Sequence, residues 1–430
     1  MSTKQKYSAD FEKAVEIGRP PNIKALFPQS RALLVSGKVV DSALLAKGKA
    51  MTIAANARNK GIIYGVLRAA QRANAAIILE IAKSEGGANA YCAVSFWNLA
   101  GLVDHACNEL GITVPVAIHA DHYGIKNEED IEKAKTEIPS LFEAGITSVA
   151  IDASHLPDAQ NLLASIKLRQ FVPEWAGYET EVGEIKGKEG ISTVEEALFL
   201  VKGLNAHDIF PDWIALNNGT THGIETSDAG IQVELTAHIH EALAPYRISG
   251  AQHGTSGNSS ARLREIAAKT RTTKANVATA LQMISWGLKV NDYGNAILDD
   301  EGQFIKLENE GVMETLWYEM KDYAESKGLK KGDYKKLNLP FENKLMSQPG
   351  EIRERMIQRV ERFTYDLLLD VFNAKDTAPL AIEAILNAGS YDLGPKATRL
   401  ENPDEWTETK ILEKAVNMES SKGPKGNFDD

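Results

Sequence analysis

Cysteine is nearly absent. The 430 residues contain only Cys92 and Cys107, which excludes a disulfide scaffold and suits a reducing compartment. No run approaches the roughly 18 apolar residues of a membrane-spanning helix. The opening Met-Ser-Thr-Lys-Gln-Lys carries no apolar signal-peptide stretch, so a soluble, cytoplasmic chain without a membrane partner is expected. Positive charge is in deficit: 48 Lys and Arg stand against 59 Asp and Glu, a net charge of -11. That leaves no broad basic field to gather polyphosphate, and nucleic acid is not an expected partner. No Gly-x-Gly-x-x-Gly turn follows any early strand-like run, which argues against a dinucleotide-binding sheet. What is present, 43% hydrophobic and 25% charged residues, is the composition of an ordinary globular protein with a large core.

Short apolar runs alternate with longer amphipathic stretches, the pattern of strands and helices around a parallel sheet. The runs are Met51 to Ala55, Ala75 to Ile81, Val114 to Ile118, Ser148 to Ile151, Tyr178 to Val182, Trp213 to Leu216, Arg247 to Ala251 and Trp286 to Val290. Eight of them separated by helix-length segments predict an α/β fold, a closed (β/α)8 TIM barrel, over residues 30–300. Residues 1–29 form an N-terminal segment. Residues 301–430 read as a helical C-terminal extension, with amphipathic helices at Glu310 to Ser326 and Glu351 to Phe372 and a charged tail. The apolar stripes of those two helices exceed what the barrel needs and predict a homo-oligomer, a dimer or tetramer.

In such a barrel the chemistry gathers where strands end. The runs are followed in turn by Asn56, Ser84, His119-Ala-Asp-His122 and Asp152-Ala-Ser-His155. The fifth run contains Glu181 and leads into Gly183-Glu-Ile-Lys-Gly-Lys-Glu-Gly190; Asn217-Asn-Gly-Thr-Thr-His222-Gly223, Gln252-His253-Gly-Thr-Ser-Gly257 and Asn291 follow the last three. Any one histidine could simply hydrogen-bond within its loop, but His122, His222 and His253 together supply three imidazoles from separate strands, the donor set of a catalytic zinc with an open position. His105, His207, His238 and His240 fall on helices, and the His238-Ile-His240 pair reads as surface. Asp121, next to His122, suits acid–base work on an oxygen beside the metal, or orientation of a ligand. Asp152 and Glu181 could hold a second divalent or monovalent cation or orient the histidines. Gly183 to Gly190 is long enough to close over the mouth, and Gly254-Thr-Ser-Gly257 before a helix could offer N–H groups and a hydroxyl to a phosphate. The only lysines at predicted strand ends are Lys83 and Lys289.

Four strings occur in order: Val116-Ala-Ile-His-Ala-Asp-His122, Thr147-Ser-Val-Ala-Ile-Asp-Ala-Ser-His-Leu-Pro157, Thr221-His-Gly223 and His253-Gly-Thr-Ser-Gly257. Together they resemble the class II, metal-dependent ketose-bisphosphate aldolases, the fructose- and tagatose-bisphosphate aldolases. The resemblance implies zinc on His122, His222 and His253, with Asp121 moving the proton of the C4 hydroxyl. It also implies Glu189 as a mobile-loop proton carrier, and Asp152 and Glu181 beside a second cation position. Gly223, Gly254, Thr255, Ser256 and Asn291 would hold the ketone-side phosphate fragment, and Asn56 and Ser84 would flank the substrate. The best match of activity is cleavage of fructose 1,6-bisphosphate to glycerone phosphate and glyceraldehyde 3-phosphate. Alternatives are a differently substituted ketose 1-phosphate, a metal-dependent barrel hydrolase, or a relative that only binds a metabolite. One departure concerns the distal end of the substrate. The family's Asn-x-Asp-Thr after strand eight is matched to Asn291-Asp-Tyr-Gly-Asn295, and the distal arginine has no counterpart nearer than Lys344.

Overall fold

The structure is a computed structural model and describes residues 8–88, 90–183, 191–219, 230–256, 258–291 and 294–416. Its strands are β1 (Leu34–Val35), β2 (Thr52–Asn56), β3 (Ile77–Ala82), β4 (Val116–Gly124), β5 (Ser148–Asp152), β6 (Gly177–Val182), β7 (Trp213–Leu216), β8 (Ser249–Gln252) and β9 (Thr272–Val277). All pairings are parallel. β2 to β9 close on themselves through β4–β5 and β2–β9, while the two-residue β1 lies beside the start of β4. This is the expected eight-stranded barrel with helices outside.

One strand is not where the apolar runs put it. Trp286 ends the helix Thr279–Trp286, and Leu288 and Val290 make only isolated antiparallel bridges to Lys306 and Ala296. The eighth barrel strand is β9, Thr-Thr-Lys-Ala-Asn-Val, which has no apolar run. Strand side chains alternate, and β9 turns Lys274 and Asn276 inward to partners on other strands, so its pattern carries little apolar signal. Neither Asn291 nor Lys289 therefore follows a barrel strand.

The barrel interior is layered. At the base Trp213 fills the space left by Ala54, Ile78, Ala117 and Ala251. Above it Glu80, His119, Glu179 and Lys274 make a fully buried ionic floor. Outside, each helix lays an apolar stripe on the strands. In Lys60–Ala73 the residues Ile62, Ile63, Val66, Leu67 and Ala70 are buried, the Asn59 side chain accepts from Ile62 N–H, and Asn74 ends the helix in left-handed conformation. Each such aliphatic contributes about 1.5–3 kcal/mol on burial, and the caps about 1 kcal/mol.

The C-terminal helices are part of this body. Helix Gly350–Asp366 crosses Lys60–Ala73 at Gly65, where a β-carbon would meet Val360 Cβ at 2.6 Å. Arg68 grips Glu354 with contacts of 2.5 and 3.1 Å. Trp286, Phe304, Trp317 and Tyr334 form a second aromatic core, with ring centroids of Phe304 and Tyr334 5.1 Å apart. The stripes that suggested a partner chain are thus covered within the chain, with Leu316, Trp317, Met320, Met356 and Val360 all buried. Asp158 is the first helical residue and not the cap of its helix. His238 is exposed but His240 is buried, accepting from Arg271 N–H, so this pair is only half on the surface. No described helix is long and apolar enough to cross a membrane.

Candidate active site at the barrel mouth

A regular strand would send Asp121 and His122 to opposite faces. The pairing of β4 with β5 slips between Ala120 and Tyr123, and His122 adopts φ 42°. This irregularity, costly for a residue other than glycine, aims both side chains at the mouth. There His122 Nε2 faces His253 Nδ1 at 2.7 Å. The other nitrogen of each ring is held by carboxylates: His253 Nε2 lies 2.8 Å from Glu179, and His122 Nδ1 lies 3.3 Å from Glu181 and 3.5 Å from Asp152. A ring that donates through one nitrogen offers the lone pair of the other, so both imidazoles present acceptor nitrogens to one point. A donor oxygen of Asp121 lies within 4.8 Å of both. Two imidazoles and a carboxylate from the ends of β4 and β8 are a donor set that fits a divalent cation such as zinc.

The electrostatics follow from burial and neighbours. Burial opposes charging of His122, but the carboxylates of Asp121 and Glu181 outweigh it and raise its proton affinity well above the ordinary imidazole value. Burial and the neighbouring Asp152 push Glu181 up to about 8. Asp152 is held well below the usual carboxylate range; burial acts against this, but His122, His155 and Ser154 overcome it. Below this group, Lys274 Nζ contacts Glu179 at 2.7 Å, His119 at 3.0 Å, Glu80 at 3.3 Å and Asp121 at 3.5 Å. Burial alone would neutralise this ammonium; the three carboxylates hold it charged and raise its pKa. Asn276 donates to Asp121 at 2.9 Å, so Asp121 is oriented from β9.

The structure brings together Asn56, Ser84, Asp121, His122, His253, Gly254, Thr255 and Ser256 around one cavity of about 400 Å³. Gly254 has φ 60°, a left-handed turn that suits glycine. Asp152 and Glu181 join His122 in a second group of possible cation ligands. His222, Gly223, Glu189 and the closing loop at 184–190 lie outside the described residues. Asn291 does not line the cavity; Asn276 and Thr279, at the end of the true eighth strand, do. The string Asn276-Val-Ala-Thr279 therefore occupies the place of Asn-x-Asp-Thr, with Ala278 where the aspartate would stand. Lys274, Glu179, Glu80 and Tyr91 were missed by the sequence reading; alternation of Lys274 and Asn276 after a helix was the signal available for the first. Lys83 donates to the Gly124 carbonyl at 3.0 Å and sits 4.0 Å from the Tyr123 ring, so its amine is engaged.

The sequence model of class II fructose-bisphosphate aldolase matches residues 39–328. The chain belongs to this family. Its members are carbon–carbon lyases. Fructose-bisphosphate aldolase of Staphylococcus aureus is 36% identical over 135 residues, 31% of this chain and 43% of that protein, so the chain matches less than half the length of this relative. Fructose-bisphosphate aldolase of Streptococcus pneumoniae is 29% identical over 238 residues, 53% of this chain and 73% of that protein. Among solved structures, the YdjI aldolase of Escherichia coli K12 superposes with TM-score 0.53 at 17% identity, covering 80% of this chain and 99% of that one. Fructose-bisphosphate aldolase of Campylobacter jejuni does so with TM-score 0.51 at 18% identity, covering 80% and 97%. These aldolases share the barrel fold with this family member.

Proposed function

We propose that this class II family member is a zinc-dependent aldolase that cleaves a phosphorylated ketose reversibly, with fructose 1,6-bisphosphate the leading substrate and a differently substituted ketose 1-phosphate the next. The observation that carries the reading is the convergence of His122 and His253 on one point with Asp121 beside it. His222 is proposed as the third ligand. A divalent cation there would stabilise the negative charge that develops on the ketone oxygen during retro-aldol cleavage. Asp121, fixed by Asn276 and Lys274, takes the proton from the C4 hydroxyl as the C3–C4 bond breaks; Glu189 is proposed to return a proton to the enediolate carbon. Gly254, Thr255, Ser256 and Gly223 would hold the ketone-side phosphate, with Asn56 and Ser84 flanking the chain of hydroxyls. Asn276 takes the place first given to Asn291. Asp152 and Glu181 hold His122 and form the second cation position.

Lys274 is the lysine in the barrel interior that a Schiff-base route would need, and its ammonium is pinned between carboxylates. A charged amine has no lone pair to attack a ketone, which favours the metal route. The test is cleavage of fructose 1,6-bisphosphate and its tagatose isomer by the metal-loaded chain. Chelation should abolish turnover, zinc should restore it, and borohydride in the presence of substrate should leave no covalent adduct. Turnover that survives chelation, or a trapped lysine adduct, would overturn the reading.

A further inference from the structure

A buried ion pair stands in the cavity wall and takes no part in the chemistry described so far. Arg58, two residues past Asn56 at the end of β2, and Glu85, in the helical turn Lys83–Gly86 after β3, both line the cavity and are almost fully buried. Arg58 approaches Glu85 Oε1 through Nε at 2.7 Å and through Nη2 at 2.5 Å. Burial opposes the charge on this guanidinium, but Glu85 outweighs it and raises its proton affinity. The remaining nitrogen of Arg58, Nη1, donates to Gln282 at 3.2 Å and braces the pair against helix Thr279–Trp286. Two charges taken out of water are often no more stabilising than apolar residues of the same volume. Stability alone does not account for the pair.

The second oxygen of Glu85 shows what the pair holds. Glu85 Oε2 accepts from Asn56 Nδ2 at 2.5 Å and from Ala82 N–H at 3.2 Å. A carboxylate paired with a guanidinium accepts and cannot donate, so it dictates which end of the Asn56 amide faces it. The NH2 group turns to Glu85, and the carbonyl oxygen is left for the cavity that Asn56 lines. That oxygen accepts from none of the described residues. We infer that Glu85, held by Arg58, is a positioning residue that locks Asn56 with its carbonyl oxygen toward the substrate, so that this side of the cavity reads a hydroxyl that donates a hydrogen bond. The inference rests on the aldolase reading and deepens it. In a ketose 1,6-bisphosphate whose C4 hydroxyl is engaged by Asp121, the hydroxyl read by Asn56 is the one at C3 or C5.

The experiment compares kcat/KM of the zinc-loaded full chain for fructose 1,6-bisphosphate and for its analogues with fluorine in place of the C3 or the C5 hydroxyl. Fluorine fills the same place but cannot donate. Wild type should prefer the hydroxyl at one of the two carbons by roughly 10- to 100-fold, the effect of leaving a buried acceptor unmatched. In Glu85→Gln the donors of Arg58 take the new amide's oxygen, its NH2 turns to Asn56, and the Asn56 amide flips; the preference should collapse. Asn56→Asp combined with Glu85→Gln exchanges donor and acceptor across the contact, conserves charge, presents an oxygen to the cavity again and should restore it. The intrinsic effect of fluorine on the reaction is common to all variants and cancels, and a merely structural role would lower every substrate alike. An unchanged preference in a Glu85→Gln chain that melts like wild type, no preference in wild type, or no restoration by the exchange would overturn the inference. If Glu85→Gln does not fold, Arg58→Met with Glu85→Gln removes both charges together, leaves an amide that dictates no orientation, and is judged by the same loss of preference. Calorimetric titration with hexitol 1,6-bisphosphate and its fluorinated analogues, which have no ketone to cleave, separates the two readings. A Glu85-dependent preference in binding without turnover of any ketose would sink the aldolase and keep the positioning role; its absence would sink the positioning role.

Discussion

The floor and the wall of the cavity solve opposite problems. On the floor, Lys274, Glu179, Glu80 and His119 are fully buried and held by charge, Lys274 contacting Glu179 and His119 and ion-pairing with Glu80 at 3.3 Å. On the wall, Gln282 keeps its amide nitrogen buried and unmatched, with Lys331 lining the same cavity. A group that is paired inside the fold holds geometry; a group left unpaired at a cavity is available to a ligand. The difference teaches that polar groups in this barrel have two settings: at the base they fix Asp121 and His253, and at the rim they face the cavity.

The comparison can be broken most forcefully at the floor. Lys274→Met removes one partner from a buried network and leaves the carboxylates uncompensated, which should cost about 3–5 kcal/mol in urea unfolding. A loss within the few tenths typical of surface changes would show that the floor is not an ionic lock. Next comes Asp121→Asn, which keeps shape and hydrogen bonding but cannot take a proton. Zinc content should persist while kcat/KM for the ketose falls roughly 100-fold or more, about 2.7 kcal/mol of transition-state stabilisation; zinc loss would make Asp121 a ligand or an orienting group and not the proton carrier. Smaller is the pH effect of Glu181. Its pKa in the fold, about 8, lies above its ordinary 4.5, so the folded state holds this proton more tightly. That stabilisation is full below the unfolded value and is lost as pH rises through about 8. Metal-free protein should therefore melt lower at pH 9 than at pH 6, by on the order of 1–3 kcal/mol, and Glu181→Gln should flatten the slope. A melting point that rises over this interval would contradict the arrangement. The smallest effect belongs to the wall: Lys331→Gln should change unfolding free energy by no more than about 0.5 kcal/mol. A large loss would reassign Lys331 to the fold's own support.

The sequence revealed the barrel where its strands are continuous apolar text, as in Ile77 to Leu79 or Trp213 to Leu216. It hid β9 because Lys274 and Asn276 occupy inward positions whose partners sit on β3, β4 and β6, a pairing no local pattern encodes. The string ending in His122 was visible, whereas the slipped register that turns Asp121 and His122 the same way belongs to the contact between two strands. Tyr91 and Lys331 stand 240 positions apart, and no spacing rule joins them. Motifs made by one strand end were legible; assemblies made by distant segments were not.

The last helices have a consequence for the birth of the fold. The family match stops at residue 328, yet the Phe372 carbonyl accepts from Met51 N–H at 2.9 Å, just before β2, and the Thr377 hydroxyl accepts from Ala76 N–H at 3.0 Å, just before β3. Lys396 reaches the Asp212 carbonyl at 2.7 Å and the Ser249 hydroxyl at 2.9 Å, at the starts of β7 and β8. The barrel's first and late strands are thus stitched at their origins by segments that follow every barrel strand in the chain. A chain cut near residue 330 would carry every strand, and the β2–β9 and β4–β5 pairings that close the barrel, but would leave these strand origins without their stitches.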